Sequence, residues 1–287
     1  MHNDERVMAC VDLSPYAESV ADYAAWAARK LETGIEFLHV LEAPAAADRG
    51  KDHSGALGLD AQEHLLKELA DQDEARSRAM RESGRVFLNS LRQRALAAGA
   101  HEVDVRQRHG TLEDTLSEQQ TNVSLFVLGR RGSAAGITGR DLGRNLEWAV
   151  RAVDRPVLAV TDRFQAPTRV LLAFDGSALM RRGIQSIAAS PLLRGLPVHV
   201  LMAGKPDAQA PATIDWARQT LEAAGFTVTS AIAQGDPERV ISQVVQDQGT
   251  DLVAMGAYSH SPWRSWLLGS RTTDLLRSVR VAALLLR

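Results

Sequence analysis

Two aspartates and two glycine-bearing stretches are the residues of this chain whose types and spacing fit the binding of a charged ligand. Asp12 and Asp175 each close an apolar run, in "RVMACVDLS" (6–14) and "RVLLAFDGS" (169–177). A carboxylate at such a place accepts hydrogen bonds from an exocyclic amine or a ribose hydroxyl. Gly129 and Gly256 close two further apolar runs, "SLFVLG" and "DLVAMG". The second leads into "MGAYSHSPWRSWLLGS" (255–270), which re-enters a helix-like run at Gly269-Ser270. A plain connection needs only a few residues. The free N–H groups and macrodipole of a helix that starts at Gly269-Ser270 favour phosphate, and the Ser270 hydroxyl adds a donor. Each residue also has a purely structural reading. Asp12 and Asp175 can cap the helices that follow them, as can Ser14 with Pro15 at the first helical position, and the glycines can serve loop geometry.

Catalytic chemistry is missing. The sequence contains no G-x-x-x-x-G-K-[ST], no G-x-G-x-x-G after either first strand, no G-x-S-x-G and no H-E-x-x-H. His39 and His199 are read as matching positions of two second strands, in the core or at a strand edge. His2, His53 and His64 form no ligand-like grouping. Efficient hydrolysis of a nucleotide needs a positioned base and metal ligands. No catalytic or metal-ligating residue is assigned. A net charge of −2 over 287 residues gives no field suited to nucleic acid or an anionic membrane. The single cysteine, Cys10, sits in an apolar run and reads as core, which fits a reducing compartment. No apolar run approaches the roughly 20 residues of a membrane span, and no signal-peptide h-region is visible, so a cytoplasmic location is expected.

The elements that must position these residues repeat. "RVMACVDLS" pairs with "RVLLAFDGS", "FLHVLEA" (37–43) with "VHVLMAG" (198–204), and "HGTLEDTL" (109–116) with "QGDPERVI" (234–241). "SLFVLGRRG" (124–132) pairs with "DLVAMGAYS" (251–259), and "DRPVLAV" (154–160) with "VRVAALLL" (279–286). Five segments recur in one order, a tandem duplication whose period is too long for a solenoid. Each copy reads as strands alternating with helices, and the strands lack clean alternation, as in parallel sheets covered on both faces. The expected fold is α/β: two doubly wound, mostly parallel five-stranded sheets with helices on both faces. Domain boundaries are expected at 1–162 and 167–287, with 161–168 as linker. The first copy carries an extra segment, about 44–82, that reads as a polar loop and a long helix broken near Gly84, with Leu65, Leu66, Leu69 and Ala70 as one apolar stripe. The two last strands are expected to pair and form a pseudo-dimer within the chain, since each would otherwise be an apolar sheet edge. Two chains are expected to dimerise further.

With these residues in hand, the sequence resembles a tandem universal stress protein along nearly its whole length. The ATP-binding branch of that family carries G-2x-G-9x-G-[S/T] after the fourth strand. The second copy reads Gly256, two residues, Ser259, nine residues, Gly269, Ser270, so the spacing is intact with serine for one glycine. The resemblance implies an adenine-nucleotide-binding, flavodoxin-like layering that holds ATP, with Mg2+ accompanying the triphosphate. It implies Asp175 and Gly176 near adenine and ribose, Val200 or Leu201 contacting adenine after the second strand, and Gly256, Ser259, Gly269, Ser270 and Arg271 around the phosphates. In the first copy the corresponding residues are Asp12, Val40, Gly129, Gly132, Gly143 and Arg144. There the loop is one residue longer and Arg144 replaces the final serine. Arg130, Arg131, Arg140 and Arg144 can neutralise an anion, form a solvated basic face or make a dimer contact. The implied role is that of a stress-response regulator. The alternatives are a scaffold of the same family that acts through protein partners, or a slow ATPase.

Overall fold

The computed structural model describes residues 5–41, 59–131, 143–205, 207–257 and 275–287. The first half runs β1 (Arg6–Cys10), α1 (Ala17–Leu31), β2 (Ile35–Leu41), α2 (Leu59–Ala97), β3 (Val103–His109), α3 (Leu112–Gln119), β4 (Val123–Gly129), α4 (Arg144–Ala152) and β5 (Val157–Val160). The second half runs β6 (Val170–Ala173), α5 (Ala178–Ala189), β7 (Val198–Ala203), α6 (Ala210–Ala223), β8 (Val228–Ala233), α7 (Pro237–Asp247), β9 (Leu252–Gly256), a helical turn at 275–278 and β10 (Ala282–Leu286).

All ten strands form one sheet in the order β3-β2-β1-β4-β5-β10-β9-β6-β7-β8. Every pairing is parallel except β5 with β10, which is antiparallel and sets Leu158 opposite Leu284. The two expected sheets are thus joined edge to edge through their last strands. The strand residues explain the layering. Val7 and Ala9 point into an apolar cluster with α1, α2, α5 and α6, whereas Met8 and Cys10 point into a second cluster with α3, α4, α7 and the 275–278 turn. Central strands covered on both faces must be apolar at every position, and β10 and β5 are buried throughout.

Local chemistry repeats as well. Gly110 and Gly235 both adopt φ +135, open to glycine at little cost, and lead into helix caps. The cap of α3 is Thr111, which accepts from Asp114 N–H; that of α7 is Asp236, which accepts from Arg239 N–H.

Two expectations need correction. The helix of the insertion does not break at Gly84; α2 runs unbroken from Leu59 to Ala97. A Cβ at Gly84 would lie 2.2 Å from Gln107 Nε2 of β3, so this glycine permits close packing of helix on strand. The side chains of Leu65, Leu66, Leu69 and Ala70 lie outside the described residues. The second correction concerns register. Cys10 pairs with Leu38 and Ala173 with Leu201, so Leu38 and Leu201 are equivalent. His199 therefore corresponds to Glu36, and His39 to Met202; the histidines do not match. Both strands carry an H-V-L run, and aligning those runs slipped the comparison by three residues.

Candidate functional site

β1 lies between β2 and β4, and β6 between β7 and β9, so each half reverses its strand order beside the strand that carries its aspartate. Such a reversal opens a crevice beyond the carboxyl ends of the strands. Asp12 follows β1 and Asp175 follows β6, with Gly129 and Gly256 ending the adjacent strands.

Each aspartate also has a turn to hold. Asp12 Oδ1 accepts from Ser14 N–H at 3.1 Å, and Ser14 Oγ accepts from Tyr16 N–H at 3.3 Å. Asp175 Oδ1 accepts from Ser177 N–H at 2.9 Å, and Ser177 is the cap of α5, its Oγ accepting from Met180 N–H at 3.2 Å. Ser177 caps α5, whereas the cap residue of α1 is Tyr16, held by Ser14 without a side-chain cap of its own; each aspartate fixes the turn before the helix through Oδ1. Asp175 is exposed, and among the described residues its Oδ2 has no hydrogen-bond partner. Gly176 holds φ +74 within that turn.

The strand-end glycines are packing positions. A Cβ on Gly129 would lie 2.7 Å from Tyr16 Cβ and 3.1 Å from Arg131 O; one on Gly256 would lie 3.0 Å from Met180 Sδ and 3.3 Å from Leu179 Cδ2. In both halves the helix start presses onto the glycine. The first-half crevice is a cavity of about 60 Å³ lined by Asp12, Tyr16, Val40, Gly129, Arg131 and Asn145, among others. That holds a few waters rather than a nucleotide. Gly143 caps α4 without a side-chain bond, and Asn145 of its first turn lies in the crevice lining. Asn145 was missed in the sequence; a polar residue in the first turn of a helix entered through glycine was the available signal.

Val200 and Leu201 lie inside β7 rather than after it. They are 0% and 1% exposed, and the Leu201 carbonyl accepts from Phe174 N–H at 2.9 Å. The register that equates Leu201 with Leu38 makes Ala203 the counterpart of Val40 and places Ala203 and Gly204 at the carboxyl end of β7. Gly132, Ser259, Gly269, Ser270 and Arg271 lie outside the described residues, as do Arg140 and the side chain of Arg144.

Arg130 faces away from any ligand role. Its Nη1 donates to Leu276 O at 2.9 Å and Val279 O at 2.5 Å, and Nη2 donates to Val281 O. The guanidinium thus ties the end of β4 to the carbonyls beyond the 275–278 turn of the other half. Burial pushes its pKa down to about 10. Burial pushes the Cys10 thiol up, which suits an inert core residue. Among the described residues no group of His, Cys, Asp and Glu is placed to hold a metal, and no helix is long and apolar enough to cross a membrane.

The family model described as "Universal stress protein family" matches twice, over residues 5–161 and 167–287. The chain is 34% identical to universal stress protein Slr1230 of Synechocystis over 286 residues, covering 99% of this chain and 100% of that one. A stretch of 60 residues, 21% of this chain, is 32% identical to universal stress protein MJ0577 of Methanocaldococcus jannaschii, covering 37% of it. Among solved structures, a universal stress protein from Archaeoglobus fulgidus superposes with a TM-score of 0.69 at 19% identity, covering 99% of this chain and 98% of that one.

Proposed function

The chain belongs to the universal stress protein family, and from that premise we propose that its second half binds an adenine nucleotide, ATP in the first instance, between β6 and β9. The observation that carries this reading is Asp175: an exposed carboxylate at the strand-order reversal whose Oδ2 is unused among the described residues. That oxygen accepts from a ribose hydroxyl or the adenine amine, and the main chain at Ala203 and Gly204 borders the base. Gly256, Ser259, Gly269, Ser270 and Arg271 receive the phosphates. With no acidic metal cluster among the described residues, a divalent cation would be carried by the triphosphate. The first half is the weaker site: Tyr16 seals Gly129 and leaves about 60 Å³. Each half is a unit of its own, 1–162 and 167–287, and the nucleotide acts by changing what the protein contacts.

Thermal unfolding with and without ATP tests this. Ligand at 100 times Kd stabilises by about 2.7 kcal/mol. Asp175→Ala removes a hydrogen bond to a charged group and is expected to weaken binding about tenfold, or about 1.4 kcal/mol. An unshifted transition in the wild-type chain at millimolar ATP leaves the non-nucleotide scaffold as the reading.

A further inference from the structure

The pairing of Leu158 with Leu284 lies on a pseudo-twofold axis that relates the two halves. Two seam positions over the sheet are therefore equivalent, and they are furnished differently. At one, Tyr23 and Trp26 of α1 are buried, and the linker crosses: Phe164 meets Tyr23 edge-on at 4.8 Å, and Asp251 accepts from Thr168 and Arg169 N–H. The register that equates Ser14 with Ser177 and Gly129 with Gly256 puts Ser186 where Tyr23 is, Ala189 where Trp26 is, and Ser124 where Asp251 is. A single chain has one linker between its halves, so this second position has none. What remains is a cavity of about 400 Å³ with Leu125, Ile187, Leu284 and Leu286 in its lining, together with Thr33 and the Arg155–Glu5 ion pair at 3.1 Å; the first position also borders a cavity, of about 1330 Å³, that reaches Tyr23, Phe164 and Asp251. The smaller cavity meets solvent at Ser186 and Ala189, which are exposed.

We propose that this seam cavity is a binding site for a small uncharged aromatic molecule, one ring deep. The chemistry is read from the equivalent position, where Tyr23 and Trp26 are buried in the same apolar layer and the ring of Phe164, itself 37% exposed, stands edge-on to Tyr23. The volume lies within the range of small-molecule sites. Leucine and isoleucine walls supply apolar contact, and the hydroxyls of Ser124, Ser186 and Ser190 at the lining suit a single polar substituent. Burial of a phenyl ring in such walls is favourable by area alone. The site stands apart from the Asp175 crevice, and its case is independent of the nucleotide reading.

The test is equilibrium dialysis of 4-bromobenzyl alcohol against the full chain, with the bromine located by anomalous scattering in soaked crystals. One saturable site per chain is expected, with bromine between Leu125 and Leu284. Ala189→Trp and Ser186→Tyr, both at exposed positions that tolerate a larger side chain, restore the aromatic filling of the other half. Each is expected to weaken binding at least about tenfold while thermal unfolding shows a folded chain. Absence of saturable binding, bromine elsewhere, or unchanged affinity in a folded variant overturns the proposal.

Discussion

His199 shows how one side chain senses where the fold has put it. It is the second residue of β7, 8% exposed, with Nδ1 2.8 Å from Thr229 Oγ1. Burial pushes its pKa below the ordinary imidazole value of about 6.5. The unfolded chain therefore binds this proton more readily than the folded one. The stability that the neutral ring contributes is complete above the unfolded-state pKa and is lost as pH falls through the folded-state value. In His199→Asn, which keeps a hydrogen-bonding group near Thr229, the loss of stability between pH 7 and pH 5 is expected to be shallower. Urea unfolding at a series of pH values measures it, and parallel curves for the two proteins would remove His199 from the account. His39, three positions nearer the chain end than the register equivalent of His199, instead bonds Val11 O at 2.9 Å through Nδ1. The two histidines share a residue type and a tripeptide, and nothing of their surroundings.

At the scale of elements, helix starts and strand ends meet through glycine, and the two halves do this with different tolerance. Gly129 faces the Cβ of Tyr16 and a backbone carbonyl, neither of which can retreat. Gly256 faces the flexible ends of Met180 and Leu179. Gly129→Ala is expected to cost about 1–3 kcal/mol, the usual range for overpacking, whereas Gly256→Ala is expected to cost less than about 1 kcal/mol. Chemical denaturation of the two variants decides, and equal costs would mean that the packing difference is immaterial. This scale also shows what was legible beforehand. The β/α order, the duplication and the pairing of last strands follow from apolar runs and turn residues that are local in sequence. The register of β2 against β1 is not local. The H-V-L runs offer a false match because strand interiors reuse a small alphabet, and only the pairing of Cys10 with Leu38 and Ala173 with Leu201 corrects it. Gly84 misled for a related reason: glycine within a helix pattern reads as a breaker, but its cause is Gln107, a residue of the next strand. Of the candidate site, the aspartates and strand-end glycines were visible as a repeated pair. The use of Arg130 was not, since its carbonyl partners lie some 150 positions away in sequence.

For the whole molecule, the antiparallel β5–β10 pair and the Arg130 contacts mean that the halves are joined by more than the linker. A chain cut by protease at a site engineered within 163–166 is expected to elute as one particle, its fragments held by buried strand residues. Arg130→Ala strips three carbonyls of their donor and is expected to cost about 2–3 kcal/mol, so that the cut variant separates into fragments at lower urea. Size-exclusion chromatography of cut protein with and without the substitution checks both outcomes. Fragments that part at once without denaturant would show that covalent continuity is what holds the seam.

The reversal of direction at the middle of the sheet also fixes where the two crevice mouths lie. Because β5 and β10 run opposite ways, Asp12 and Asp175 stand on opposite rims of one slab, ten strands wide. A molecule docked against one mouth has its back to the other. A body that touches both mouths at once must embrace the slab from rim to rim, and one that lies flat on a single rim meets only one of them.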